Sequence, residues 1–193
     1  LKGHSTNYDN FFAYSDINDT QLATFAREFP NMLGMQYNSS MPSMNGLFSN
    51  CKNLTVIPEN AFYIDRRGIK GTGLFNGSYN IVAIWVPLRF YCEDSGNNTY
   101  YQYADQILPN GGTVNHTLEE IRVAENGIKQ SINFVYYIAL SKESYQSIFD
   151  GLAEVDTTQT LTLYKCDESQ NLNSSYYANA TVKGWTVVFT NRR

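Results

Sequence analysis

Apolar positions return at a fixed interval in the first half of the chain. Leu47, Phe48, Leu54 and Ile57 are followed 27 positions later by Leu74, Phe75, Ile81 and Ile84. A period of 20–50 residues marks architectures in which each unit buries its apolar side against its neighbour, so the pattern predicts a stacked solenoid. Upstream, Leu22, Phe25, Phe29, Met32 and Leu33 predict a short helix or turn within 21–35, ended by Pro30. Downstream, Asn80 to Phe90 is β-branched and aromatic and predicts a strand whose end Pro87 places at an edge or break. Turn clusters at Glu93–Asn98 and Pro109–Gly112 flank Tyr100, Tyr101 and Tyr103, so this stretch reads as an insertion. Thr117 with Glu120 at capping-box spacing predicts a short helix over 117–125. Ile132 to Leu140 reads as a β run. From Ser141 to about Val155, the residues Tyr145, Ile148, Phe149 and Leu152 follow i, i+3, i+4, i+7, one face of a helix capped by Ser141. A strand at 161–164 follows, then a helix capped by Ser174 or Ser175 that ends at Lys183. Gly184 takes the position after the helix and Trp185 to Phe189 forms the last strand.

These elements predict one β-rich α+β domain over 21–193, with an irregular lead-in at 1–20, an insertion at about 87–117 and a C-terminal cap at about 132–189. The chain's 193 residues suffice for a sizeable core, and 42% of them are hydrophobic. Charged residues are only 17%, and polarity comes instead from Asn, Ser and Thr. The net charge of −4 argues against binding nucleic acid through a basic face. No run approaches the roughly 18–20 apolar residues of a membrane-spanning helix, so no membrane insertion is expected. The sequence begins at Leu1 with no visible signal peptide, and is expected to be a fragment or a processed product.

Candidate chemistry is sparse. Cys51, Cys92 and Cys166 stand 41 and 74 residues apart, with no metal-ligand spacing. Cys51, beside a repeat position, reads as a small buried thiol. His4 and His116 have no nucleophile or orienting partner in the pattern. The carboxylates Asp65, Glu93-Asp94, Glu119-Glu120, Glu154 and Asp156 fall in turns or on polar faces, where solvation explains them. Gly71-Thr72-Gly73 with Gly77 lacks the Lys-Ser/Thr of a phosphate loop and reads as repeat turns. Eight Asn-x-Ser/Thr sites, at Asn18, Asn38, Asn53, Asn76, Asn97, Asn115, Asn173 and Asn179, are read as turn chemistry; in a secreted eukaryotic protein they would carry glycans. No metal or cofactor is expected. Trp85 ends an apolar run and reads as core, whereas Tyr100, Tyr101 and Tyr103 between turn clusters are the candidate binding residues.

Leu47-Phe48-Ser49-Asn50-Cys51-Lys52-Asn53-Leu54-Thr55-Val56-Ile57-Pro58 resembles the BspA-type leucine-rich repeats, whose core reads Phe-x-x-Cys-x-x-Leu-Thr-x-Ile-Pro. Residues 140–163 and Ala180-Thr181-Val182-Lys183-Gly184-Trp185-Thr186-Val187 are similar to the closing repeat of such arrays. The weaker copy at 70–86 has Ser78 where the family has Cys, and 1–20 and 87–117 depart from the pattern. The resemblance implies a leucine-rich-repeat-like right-handed solenoid with short helices and a C-terminal cap. Its repeat core would be Leu47, Phe48, Cys51, Leu54, Ile57, Leu74, Phe75, Ile81 and Ile84, and its cap would hold Tyr145, Ile148, Phe149, Leu152, Gly184 and Trp185.

The resemblance also implies a non-enzymatic recognition or adhesion module, extracellular on a cell surface or virion. Its partner would be a protein or glycan on a host or neighbouring surface. The family occurs in bacterial and protist surface proteins and in structural proteins of phages. A second expectation is therefore a phage head fibre, capsid decoration or tail component that forms homo-oligomers or larger assemblies. A third, from a different class, is a carbohydrate-active enzyme, which needs paired carboxylates in a cleft.

Overall fold

The computed structural model describes residues 7–30, 32–33, 42–94, 96, 98–109 and 113–191. In chain order the elements are α1 (Asp19–Glu28), β1 (Val56–Ile57), β2 (Ala83–Leu88), β3 (Tyr91–Glu93), β4 (Thr99–Tyr101), α2 (Ala104–Ile107) and β5 (Glu120–Val123). They continue with β6 (Ile132–Asn133), α3 (Lys142–Asp150), β7 (Gln159–Tyr164), α4 (Asp167–Gln170), α5 (Ser174–Val182) and β8 (Trp185–Thr190). The expected leucine-rich-repeat-like right-handed solenoid is not what they form. The structure is a mixed α/β fold with short helices and small sheets: parallel β1-β2-β5, antiparallel β3-β4 and parallel β6-β7-β8.

Unequal spacing underlies the difference. Val56 pairs with Ala83, 27 positions on, but Ile84 pairs with Ile121, 37 positions on, and Ile132 with Leu161, 29 positions on. The central sheet also stops at both sides. On the β1 side, the Asp19 carboxylate at the start of α1 accepts hydrogen bonds from the Thr55 and Val56 amides at 2.8 and 3.1 Å, and from the Thr55 hydroxyl. On the β5 side, the Ser144 and Ser147 hydroxyls of α3 accept from the Ile121 and Val123 amides at 2.9 and 2.8 Å. Ser144 also donates to the Glu119 carbonyl at 2.9 Å. Side chains thus take the bonds a further strand would have made, which meets the demand that buried backbone groups be paired.

The apolar frame nevertheless sits where burial requires. Leu47, Phe48, Cys51, Leu54, Ile57, Leu74, Phe75, Ile81 and Ile84 are all fully buried. The described part of the 1–20 lead-in joins them. Tyr8, Asn10, Phe12 and Tyr14 donate backbone hydrogen bonds to Ser43, Asn45, Leu47 and Ser49, and Met44, Gly46, Phe48 and Asn50 donate in turn to Lys70, Thr72, Leu74 and Asn76. Three turn segments therefore lie side by side. Phe12, Phe48 and Phe75 stack in their core with centroids 5.3 and 5.7 Å apart and rings within 12° of parallel. Matching backbone twists recur: Asn10, Gly46 and Gly73 have φ of 56°, 60° and 63°, a left-handed region that Gly and Asn tolerate best. Ser78 donates to the Phe48 carbonyl at 2.6 Å and accepts from the Cys51 amide at 2.8 Å.

Several elements differ from expectation. Residues 117–125 hold strand β5 (Glu120–Val123) and no helix; Asn115 Oδ1 accepts from the Thr117 and Leu118 amides, and the Thr117 hydroxyl donates to the Tyr79 carbonyl. The β run of 132–140 is reduced to β6, with turns beyond it. Helix α1 runs from Asn18, which forms a capping box with Gln21. Ser141 caps α3, but the helix ends at Asp150 instead of continuing to Val155. Asn173, not Ser174 or Ser175, caps α5. At the C-terminal end Tyr145, Ile148, Phe149, Leu152 and Trp185 are buried, and the Trp185 indole N–H donates to the Ala153 carbonyl at 2.7 Å. Gly184 has φ +89°, and a Cβ there would lie 2.6 Å from the Val155 carbonyl oxygen.

Ser144→Ala removes the hydroxyl that closes the β5 edge, leaving the buried Ile121 amide unpaired while the Glu119 carbonyl keeps the Ser141 amide. The expected cost is about 1–3 kcal/mol, read from the shift of the urea midpoint at unchanged slope.

Candidate functional site

The tyrosine segment is a hairpin. β3 and β4 pair Tyr91 with Tyr101, Cys92 with Tyr100 and Glu93 with Thr99. Its second strand carries exposed aromatics: Tyr100 and Tyr101 on β4, and Tyr103 just beyond it, are 56%, 47% and 67% exposed, so all three side chains reach solvent. Its inner strand is fixed to the body. The Glu93 amide donates to the Arg67 carbonyl at 2.7 Å and the Ile69 amide to the Tyr91 carbonyl at 2.9 Å. Gly68, with φ +87°, makes this approach possible, since a Cβ there would meet the Tyr91 carbonyl oxygen at 1.8 Å. The Tyr91 hydroxyl donates to the Arg66 carbonyl at 2.7 Å, and the Lys129 ammonium lies 4.0 Å from the Tyr91 ring centre while pairing with Glu93.

The hairpin tip is ordered by one carboxylate. Asp94 accepts from the Gly96 and Asn98 amides at 2.8 and 2.9 Å, from the Asn98 side-chain amide at 3.0 Å and from the Tyr100 hydroxyl at 3.2 Å. These bonds, the Asn98 side chain foremost, hold the Asp94 carboxyl below its ordinary value of 3.8. The bond to Asp94 pushes the Tyr100 phenol above its ordinary 10.0. A cavity of about 40 Å³ is lined by Tyr101 and Tyr103 with Phe90, Gln102, Gln130 and Ser131. Gln102 donates to the Gly71 carbonyl at 2.5 Å, while its buried Oε1 has no hydrogen-bond partner among the described residues.

Trp85 is not in the core, contrary to the sequence reading. The β2–β5 register slips between Ile84 and Pro87, so Trp85 and Val86 stand opposite no partner. Val86 stays buried while Trp85 is half-buried at the surface, the re-aiming that bulges produce. The indole N–H donates to the Glu120 carboxylate at 2.8 Å, and the Arg122 guanidinium lies 5.9 Å from the ring centre. A groove of about 400 Å³ opens beside them, with Glu143 of α3 on its far wall. Sequence reasoning missed this site because Trp85, Glu120 and Glu143 are far apart along the chain. A Trp followed two residues later by Pro87 inside a strand was the available signal for a bulge.

The other chemical residues are structural. Cys51 and Cys92 are buried, and burial raises both thiols above the ordinary 9.0. None of the three cysteines is in a disulfide. Asn115 is buried, and its side-chain amide donates to the Pro109 carbonyl at 2.5 Å, which removes it as a glycan acceptor in the folded chain. His4, Asn38, Asn97 and the Pro109–Gly112 turn beyond Pro109 lie outside the described residues. Among the described residues no group of three or more His, Cys, Asp or Glu side chains is placed to hold a metal ion, and no helix is long and apolar enough to cross a membrane. No protein-family model, no curated protein and no solved structure matches the chain significantly.

Asp94 predicts a pH signature. Because its pKa is depressed on folding, its contribution to hairpin order is complete above the ordinary carboxylate value of 3.8 and is lost as pH falls through the lower folded value. The Asn98 amide resonance is expected to hold its position from neutral pH down to that range and then to move. In Asp94→Asn that low-pH step is absent.

Proposed function

We propose that the protein is a non-enzymatic recognition module displayed on a cell surface or virion, and that it binds a protein or glycan partner through the tyrosine hairpin. The observation that carries this reading is the exposure of Tyr100 and Tyr101 on a hairpin pinned by β3 pairing and by Asp94, and of Tyr103 directly after it. Tyrosine gives large contact area with little side-chain entropy to lose, and a pinned hairpin lowers the ordering cost of binding. A hydrolytic reading has less support. Glu120 and Glu143 are both exposed, whereas a catalytic acid sits in a water-poor pocket.

A structural role in an assembly has one specific observation in its favour. Among the described residues strand β8 has a single neighbour, β7, and its six residues Trp185–Thr190 carry no charge, Pro or bulge to guard the other edge. Pairing of this edge between copies predicts a dimer or larger species by light scattering, and Val188→Lys on β8 returns it to a monomer. A wild-type mass of 21.9 kDa at all concentrations would remove this reading.

The hairpin is tested by replacing Tyr100, Tyr101 and Tyr103 together with Ser. The variant is expected to keep the wild-type unfolding midpoint, since all three side chains are exposed. On arrays of glycans and host surface proteins it should lose, by roughly a hundredfold or more, whatever saturable binding the wild type shows. Equal binding by the two proteins would remove the hairpin from the function.

A further inference from the structure

We infer that the groove between β5 and the first turn of α3 is a second binding site, and that its ligand is a neutral saccharide, one pyranose unit seated against Trp85. The inference rests on the recognition reading but not on the tyrosine hairpin. The groove's volume of about 400 Å³ falls in the range of small-molecule sites, about 300–1,000 Å³.

Its wall chemistry selects the ligand class. A sugar ring has an apolar C–H face and a rim of hydroxyls that both donate and accept. The bulge in β2 turns an indole outward to meet the first. The rim meets acceptors and donors side by side. Glu120 spends one oxygen on the Trp85 indole N–H at 2.8 Å, which fixes its orientation and leaves the other oxygen for a ligand. Glu143 brings a second exposed carboxylate from α3. The Ser147 hydroxyl accepts from the Val123 amide at 2.8 Å and retains its own proton to donate.

Arg122 supplies the remaining donors. Its guanidinium stands 5.9 Å from the indole centre, at the outer limit of a cation–π contact, and 3.4 Å from Glu59. Both partners of that ion pair are more than half exposed, so it is weak and the N–H fork can turn to a hydroxyl. A ligand offering only apolar surface would give no partner to Glu143 or to the second oxygen of Glu120. A carboxylated, sulfated or phosphorylated ligand would meet Glu120 and Glu143 with one cation that already faces Glu59. A neutral polyol ring satisfies the set.

The site contains its own reporter. Trp185, the second tryptophan, is 2% exposed, so a ligand-induced change in indole emission reports Trp85. The experiment titrates the full chain with the methyl glycosides of glucose, galactose, mannose and N-acetylglucosamine, each up to about 50 mM, a range that captures millimolar affinities. Methyl glucuronide is the anionic control and lysine amide the cationic one. A saturable emission change with at least one neutral glycoside, and none with the two controls, is expected. Glu143→Gln keeps the reporter and leaves the fold's hydrogen bonds untouched; it should bind that glycoside about tenfold more weakly or worse. The triple tyrosine variant should bind it as the wild type does.

No saturable change with any neutral glycoside overturns the proposal. So does a response to lysine amide alone, which would make the groove a cation site, or unchanged affinity in Glu143→Gln. Loss of binding in the tyrosine variant would move the sugar to the hairpin and also overturn it. Release of free sugar and methanol during the titration would keep the saccharide assignment and overturn the non-catalytic reading instead.

Discussion

The constraint on which the fold depends is that every buried backbone N–H and C=O needs a partner, in a chain whose successive segments differ in length. A strand two residues long, such as β1, cannot satisfy its own edge, and an extra loop of ten residues between β2 and β5 breaks any uniform stacking. Side chains make up the difference. Asp19, Ser144 and Ser147 finish the central sheet, Ser78 bridges two neighbouring segments, and Asn115 occupies the backbone of the turn before β5. This explains a composition rich in Asn, Ser and Thr and poor in charge. Short polar side chains that bond to backbone at close range suit this task, whereas Lys and Glu carry their polar ends too far from it.

The core shows the complementary economy. Where segments 7–14, 43–50 and 70–76 run side by side, their backbone bonds to one another are made at matching positions, and matching side chains then meet. Phe12, Phe48 and Phe75 fall into a column for this reason, and Phe62 packs against its side, 6.0 and 6.2 Å from the second and third rings. The column ends where the spacing changes. Beyond Phe75 the aromatic contacts are edge-on pairs such as Phe90–Phe134, with rings 86° apart.

What the sequence disclosed follows the same division. The spacing of 27 was legible and corresponds to a real register, Val56 with Ala83 and Ile57 with Ile84. The earlier segment was not, because Asn10 stands where Gly46 and Gly73 stand, and Tyr14 where Asn50 and Gly77 stand; different residues share one positive φ. Helix α3 was legible from its apolar face and its Ser141 cap. Strand β5 was misread as a helix since Thr117 and Glu120 imitate a capping box, while the decisive fact, a parallel partner 37 positions back, is not local. The hairpin tyrosines were found from the turn clusters around them. The Trp85 groove was not, because a bulge is a property of two strands and a run of apolar residues shows only one.

The two candidate surfaces trace to departures from regularity. The hairpin exists because the stretch between β2 and β5 is longer than its counterpart between β1 and β2, and the surplus folds back on the 65–69 turn. The groove lies where β2 carries two residues, Trp85 and Val86, that β5 does not match. Val86 stays inside and Trp85 goes out. A uniform insertion-free segment would pair straight through, bury the residue at position 85 or present it in line with Val56, and leave no space beside α3. Side-chain closure of β5 by Ser144 and Ser147 then holds α3 against the slipped edge and sets the width of the groove. The two irregularities adjoin along the chain, the bulge within β2 and the hairpin directly after it. A change in the length of the segment after β2 would therefore alter the hairpin, whereas the groove depends on the two unmatched residues of β2 itself.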